Sequence, residues 1–344
     1  METTWFALVA MMIALYVVLD GFDLGAGMVH LFVARTDAER RAVLGSIGPV
    51  WDGNEVWLIA GGGTLYFAFP ALYASSFSGF YLPLMMVLWL LILRGIAIEF
   101  RNHVQSLVWQ PLWDAVFAGA SALLAIFFGA ALGNVVRGVP LDASGEFFLP
   151  LWTDFAAGRE SGILDWYTLS IAVAALLALM VHGALWVALK TEGPVERRAR
   201  RVAQRVWWAL AAGVMAITAA SFRVQPHLLE SFRARPWGYV FPLAAVAGLV
   251  GMRVRGGRRE GLDAFLCSCL FLLGMLTSAA FGLYPYVLPS NRDPAFALTV
   301  FNAAAAPYGL RIGLLWFVPG LLLAASYFVY SYRSFAGKVR PPGA

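Results

Sequence analysis

Charge is scarce in this 344-residue chain: 13% of the residues are Asp, Glu, Lys or Arg, against 60% that are hydrophobic. A soluble domain carries about a quarter of its residues as charges, so that class is excluded. Cysteine is limited to two, Cys267 and Cys269, set two positions apart in an apolar stretch. On a helix that spacing turns them roughly 200° from one another, which excludes a disulfide or a metal pair between them. Small thiols in an apolar span need no function of their own. The four histidines are His30, His103, His182 and His227. A heme site needs ligands converging from facing helices, and only His30 and His182, near span ends, are placed to try. An isolated histidine there is more often a satisfied interface residue, so no heme and no metal is assigned to this chain. No Gly-rich phosphate loop follows a strand and no Ser/His/Asp arrangement is present, which excludes soluble-enzyme chemistry. Lys and Arg are absent before Trp5, and the apolar stretch that follows is too long for a cleaved signal peptide, so the first span is expected to be retained.

What is present is length of apolar run. The mean hydropathy is +0.72, and nine stretches are candidates to cross a bilayer: about 5 to 33, 56 to 74, 79 to 98, 115 to 136, 165 to 189, 206 to 222, 237 to 252, 262 to 284 and 308 to 332. The sixth and seventh are the shortest and are separated by a polar segment with Arg223, His227, Glu230, Arg233 and Arg235. Spans joined by short connections form one bundle, so residues 1–344 are expected to be a single polytopic membrane domain of the all-α class.

With nine spans, 17 of the 25 basic residues fall in segments after odd-numbered spans, with seven on the opposite side and Arg94 inside the third span. The excess of Lys and Arg marks the cytoplasmic face, which puts the N-terminus outside and the C-terminus inside. The densest basic stretches, about 190–205 and 253–261, are expected to be cytoplasmic loops. Flanking membrane spans make a topogenic role the better explanation for them than binding of nucleic acid, and the sequence pI near 9.4 has the same origin.

Against that apolar background two pairs of acids stand out, Asp20 with Asp23 and Asp52 with Glu55, each at i,i+3 spacing. Residues three apart share a helix face. An acid at the centre of a membrane helix costs about 2.5 to 3.5 kcal/mol on insertion scales, so such acids usually face a bundle interior or a water path. On the topology above both pairs lie toward the cytoplasmic surface and can meet across one helical hairpin. Gly21 and Gly25, followed by Gly27, and the run Gly61 to Gly63 favour close packing beside them. A structural explanation competes for the second pair: Asp52 as a helix N-cap with Glu55 completing a capping box. Arg94 and Glu99 are candidates for an interfacial ion pair, although five residues apart is a poor same-face spacing.

Gly21-Phe22-Asp23-Leu24-Gly25 followed by Trp51-Asp52-Gly53-Asn54-Glu55-Val56-Trp57-Leu58 resembles subunit II of the cytochrome bd-type quinol oxidases, including the cyanide-insensitive branch. Phe77-Ser78-Gly79-Phe80-Tyr81, the run from Gly133 to Pro140 and the run from Tyr284 to Ser290 extend the resemblance over nearly the whole chain. The resemblance implies nine helices as two four-helix bundles plus one peripheral helix. It also implies a partner, subunit I, holding two b-type hemes and one heme d and oxidising quinol with oxygen as the electron acceptor, in a bacterial cell membrane. Subunit II would then supply cytoplasmic protons, with Asp52 at the position of the family's proton-path aspartate, Asp23 and Asp20 in the first-span acidic motif, and Trp51 and Asn54 shaping the inlet. Some family members carry Gln in place of Glu55, so the resemblance does not require Glu55 and returns it toward capping. Some members hold a structural quinone in subunit II or associate with small accessory membrane subunits, and no motif transfers either feature. Two other readings stay open: a cation-coupled secondary transporter, against which stand the lack of an internal repeat and the off-centre acids, and a purely structural membrane subunit.

Overall fold

The structure is a computed structural model that describes residues 1–158, 161–256 and 261–339. Part of the basic segment 253–261, together with Arg159 and Arg340, lies outside the described residues. Twelve α-helices follow in order: α1 (Glu2–Val33), α2 (Asp37–Ile47), α3 (Trp51–Ala68), α4 (Pro70–Gly79), α5 (Tyr81–Phe100), α6 (Trp109–Arg137), α7 (Trp166–Lys190), α8 (Gly193–Val224), α9 (His227–Ala234), α10 (Val240–Arg255), α11 (Leu262–Leu283) and α12 (Pro307–Ser334). Among the described residues eight helical segments are long and apolar enough to cross a membrane: α1, α5, α6, α7, α8, α10 with the short turn before it, α11 and α12. The chain is thus an all-α, multi-pass membrane protein. The short sixth and seventh runs are both among these segments.

The second expected run, 56 to 74, differs. Its helix starts earlier, at Trp51, and breaks at Phe69, after which α4 begins on Pro70. Proline has no N–H to continue the ladder and forces the residue before it out of the helical region, and Phe69 has φ −134° and ψ 65°. The first turn of α3 also carries Asp52, Asn54 and Glu55, which lowers its hydropathy. The basic segment 190–205 is not a loop either: α8 starts at Gly193 with Pro194 in its first turn and runs through all the arginines. Val195, Ala199 and Ala203 recur every four residues between them and are buried, so a helix pays for itself there by packing one face.

α1 lies at the centre, against α3, α6, α7 and α11, and every residue from Asp20 to His30 is buried. Its approach to α7 depends on glycine. A Cβ on Gly25 would lie 2.1 Å from the Leu179 carbonyl oxygen, and one on Gly183 would lie 2.1 Å from the Gly25 carbonyl carbon. Gly183→Ala is therefore expected to push the two helices apart at a cost of about 1–3 kcal/mol, read as a lowered unfolding temperature of the detergent-purified protein. The second glycine run does not do this: Gly62 and Gly63 meet nothing within 4 Å, and only Gly61 approaches α1. They lie on the outward side of α3, where Val56, Ile59 and Tyr66 are exposed.

At the end of the bundle opposite the basic turns of α8, two motif segments meet. Val139 donates to the Pro289 carbonyl at 3.0 Å and accepts from Asn291 N–H at 3.0 Å, beside the small hairpin that pairs Tyr286–Leu288 with Leu298–Thr299. Arg137 holds this region by pairing with Asp165, the N-cap of α7, and by donating to the Gly162 carbonyl at 3.0 Å.

Candidate functional site

The site grows from the buried middle of α1. Asp20 and Asp23 are both fully buried, as are Asn54 on α3 and Arg94 on α5. Arg94 donates through Nη1 to Asp20 Oδ1 at 2.6 Å and through Nη2 to Glu55 Oε2 at 2.8 Å. One guanidinium thus joins the first member of one acidic pair to the second member of the other. Asn54 donates through Nδ2 to Asp23 Oδ2 at 2.8 Å and accepts from the Tyr332 hydroxyl, on α12, at 2.8 Å. Trp51 is half-buried and covers Gly95, next to Arg94.

These contacts revise two expectations. Arg94 does not pair with Glu99; it turns inward to Asp20 and Glu55, since i,i+5 puts Glu99 on another face. Asp52 and Glu55 do not form a capping box: the helix begins one residue before Asp52, its N-cap is Val50, and no side chain caps it. Asp52 itself is exposed and forms no hydrogen bond or ion pair among the described residues. Across the hairpin Glu55 does meet the first pair through Arg94, and Asn54 meets it directly at Asp23.

Several buried polar atoms in this cluster have no hydrogen-bond partner among the described residues: Tyr16 Oη, Asp20 Oδ2, Asp23 Oδ1 and Arg94 Nε. Tyr16 lies one turn from Asp20 on the same face of α1. An unmet polar atom in an apolar interior is costly, and ordered water is the usual partner of such groups. Burial is graded along α3 and into α1, from exposed Asp52, through the Glu55 side chain at 22% exposure, to Asp20 at zero.

A second buried charge cluster, which sequence reasoning missed, lies one helix end away. Asp114 near the start of α6 accepts from Arg101 Nε at 2.6 Å and Arg40 Nη1 at 2.7 Å, and its Oδ1 is 2.6 Å from His30 Nε2. Arg101 reaches on to Asp37 at 2.8 Å. Burial pushes the Asp37 carboxyl up, but the bonds from Arg101 and Arg41 outweigh it and hold Asp37 below the usual carboxylate range. This network fastens α2 and the α5–α6 connection across the end of the bundle. The signal that could have found it was Asp114 itself, an acid immediately before the apolar run 115 to 136.

The histidines are already engaged. His30 faces Asp114. His182 uses both ring nitrogens, Nδ1 with the Ser268 hydroxyl at 2.7 Å and Nε2 with the Val18 carbonyl at 2.9 Å, and stacks on Phe265. His182 offers no lone pair to an iron without breaking these contacts, while His30 Nδ1 is buried and has no hydrogen-bond partner among the described residues. No group of three or more metal-ligating side chains occurs among the described residues, and Cys267 and Cys269 are free thiols.

A profile for cytochrome bd terminal oxidase subunit II matches residues 1–335. The cytochrome bd ubiquinol oxidase subunit 2 of Bacillus subtilis is 32% identical over 340 residues, covering 96% of this chain and 95% of that protein. The probable cytochrome oxidase subunit 2 of Haemophilus influenzae is 31% identical over 362 residues, covering 97% and 94%. In fold the chain is similar to a chain of the bd oxidase from Geobacillus thermodenitrificans, with a TM-score of 0.76 at 17% identity, covering 97% of this chain and 98% of that one. With a profile match over nearly its whole length and relatives above 30% identity aligned over 96% or more of the chain, the protein belongs to the cytochrome bd terminal oxidase subunit II family.

Proposed function

We propose that this subunit of a quinol:oxygen oxidoreductase carries protons from the Arg-rich, cytoplasmic surface toward the oxygen-reducing heme of its partner, subunit I. Hemes held by that partner, two of b type and one of d type, supply the electron transfer from quinol, and reduction of oxygen to water consumes a proton for each electron. Asp52 takes protons from water at the surface. Glu55, Asp20 and Asp23 receive them, with Trp51 screening the inlet and Asn54 fixing the Asp23 carboxylate. The observation that carries this reading is the graded burial from Asp52 to Asp20 and Asp23, ending in carboxylate oxygens with no protein partner. A structural ion pair would have no use for such oxygens; a water-borne proton relay does.

In the same reading α3 and α4 together act as a ninth crossing. The helices form two four-helix bundles with α12 peripheral to them, and the N-terminus lies outside with the C-terminus in the cytoplasm. The exposure of α12, whose most apolar stretch has no buried residue, favours its peripheral place.

Asp52→Asn tests the proposal. Oxygen consumption by the assembled, heme-replete complex is expected to fall by about tenfold, corresponding to ~1.4 kcal/mol on the barrier. Unchanged turnover removes Asp52 from the path, and loss of the hemes with the protein would make its role one of assembly.

A further inference from the structure

The arginines of α8 are not distributed evenly between partners. Arg198 pairs with Glu39, Arg200 with Glu196, and on α10 Arg255 pairs with Asp263. Arg197, Arg201 and Arg205 are exposed and have no carboxylate partner among the described residues, and neither does Arg253 on α10. Those three on α8 recur every four residues, so they form one stripe. The stripe runs straight into Trp208, which is 61% exposed, and then into Met215, 68% exposed. Arg253 crosses from α10 to lie over the Trp208 ring at 5.6 Å from its centroid.

α8 has 32 residues and is about 48 Å long, well beyond the ~30 Å of a hydrocarbon core. Its basic turns therefore extend past the apolar core, Trp208 lies where aromatic rings favour the headgroup level, and Met215 faces acyl chains. We propose that Arg205 and Arg253, around Trp208, bind the phosphate of an anionic phospholipid whose acyl chains lie along the exposed face of α8. A topogenic role explains why cations lie on this side of the membrane. It does not explain why two of the unpaired ones, Arg205 and Arg253, come from two helices to one exposed tryptophan. Guanidinium groups suit this ligand because they donate to phosphate oxygens in a planar fork.

The test uses the purified two-subunit complex in detergent, with dioleoyl phosphatidylglycerol or dioleoyl phosphatidylcholine added and bound lipid counted by native mass spectrometry. The wild-type complex is expected to retain phosphatidylglycerol over phosphatidylcholine. Arg205→Gln with Arg253→Gln should lower that retention by about tenfold or more, while Arg197→Gln, further along the stripe, should change it little. No preference for phosphatidylglycerol would overturn the site, as would an Arg197 variant that loses as much as the double variant, because diffuse surface charge would then suffice. If the double variant does not assemble, Trp208→Leu replaces it: an undiminished preference there also sinks the proposal.

Discussion

Arg94→Gln is expected to destabilise the protein by about 3–5 kcal/mol, the scale for removing one partner of a buried ion pair. The loss follows from geometry: Asp20 is fully buried and its only ion pair among the described residues is to Arg94, and Glu55 loses the same partner. Thermal unfolding of the detergent-solubilised complex measures it. A second comparison separates charge from shape. Asp20→Asn combined with Arg94→Gln removes both members of the buried pair and should recover part of the stability without recovering oxygen consumption. If Arg94→Gln alone unfolds at the wild-type temperature, the cluster is wet enough to solvate Asp20 and the buried-pair account fails.

The second large effect concerns turnover. Asp23→Asn keeps the size of the side chain and an amide able to bond Asn54, yet removes the group that can hold a proton. Oxygen consumption is expected to drop by about 100-fold, the usual scale for loss of a positioned acid or base, with the complex assembled and its unfolding temperature near that of the wild type. Asp23→Glu should restore part of the rate. A full rate in Asp23→Asn would take Asp23 out of the relay and leave it a packing residue of α1.

How much of this was legible beforehand depended on sequence distance. Membrane class, most of the spans and the two acidic pairs could be read directly, because apolar runs and i,i+3 spacings are local. The partner of Arg94 could not: Asp20 lies 74 positions earlier in the chain, and nothing in the neighbourhood of Arg94 points to α1. Glu99 was the nearest acid by number but lies on another helix face. The capping expectation failed because a cap must precede its helix, and α3 already begins at Trp51. Asp114 was missed for a similar reason, since its partners His30 and Arg40 come from α1 and α2. The helical state of 193–205 was open to reading, since the four-residue recurrence of Val195, Ala199 and Ala203 is visible among the arginines; their charge drew attention away from it.

The hydrogen bond from Tyr332 to Asn54 has a consequence in time. A ribosome delivers α1 first and α12 after the other eleven helices, so the acid at Asp23 enters the membrane long before the hydroxyl that fixes its amide neighbour exists. Until then Asn54 can rotate and α1 carries its carboxylates beside an unfinished wall. The proposed relay is therefore completed only when synthesis has passed Tyr332, and a chain interrupted before that point would insert most of its helices while leaving the Asp23–Asn54–Tyr332 contacts unformed.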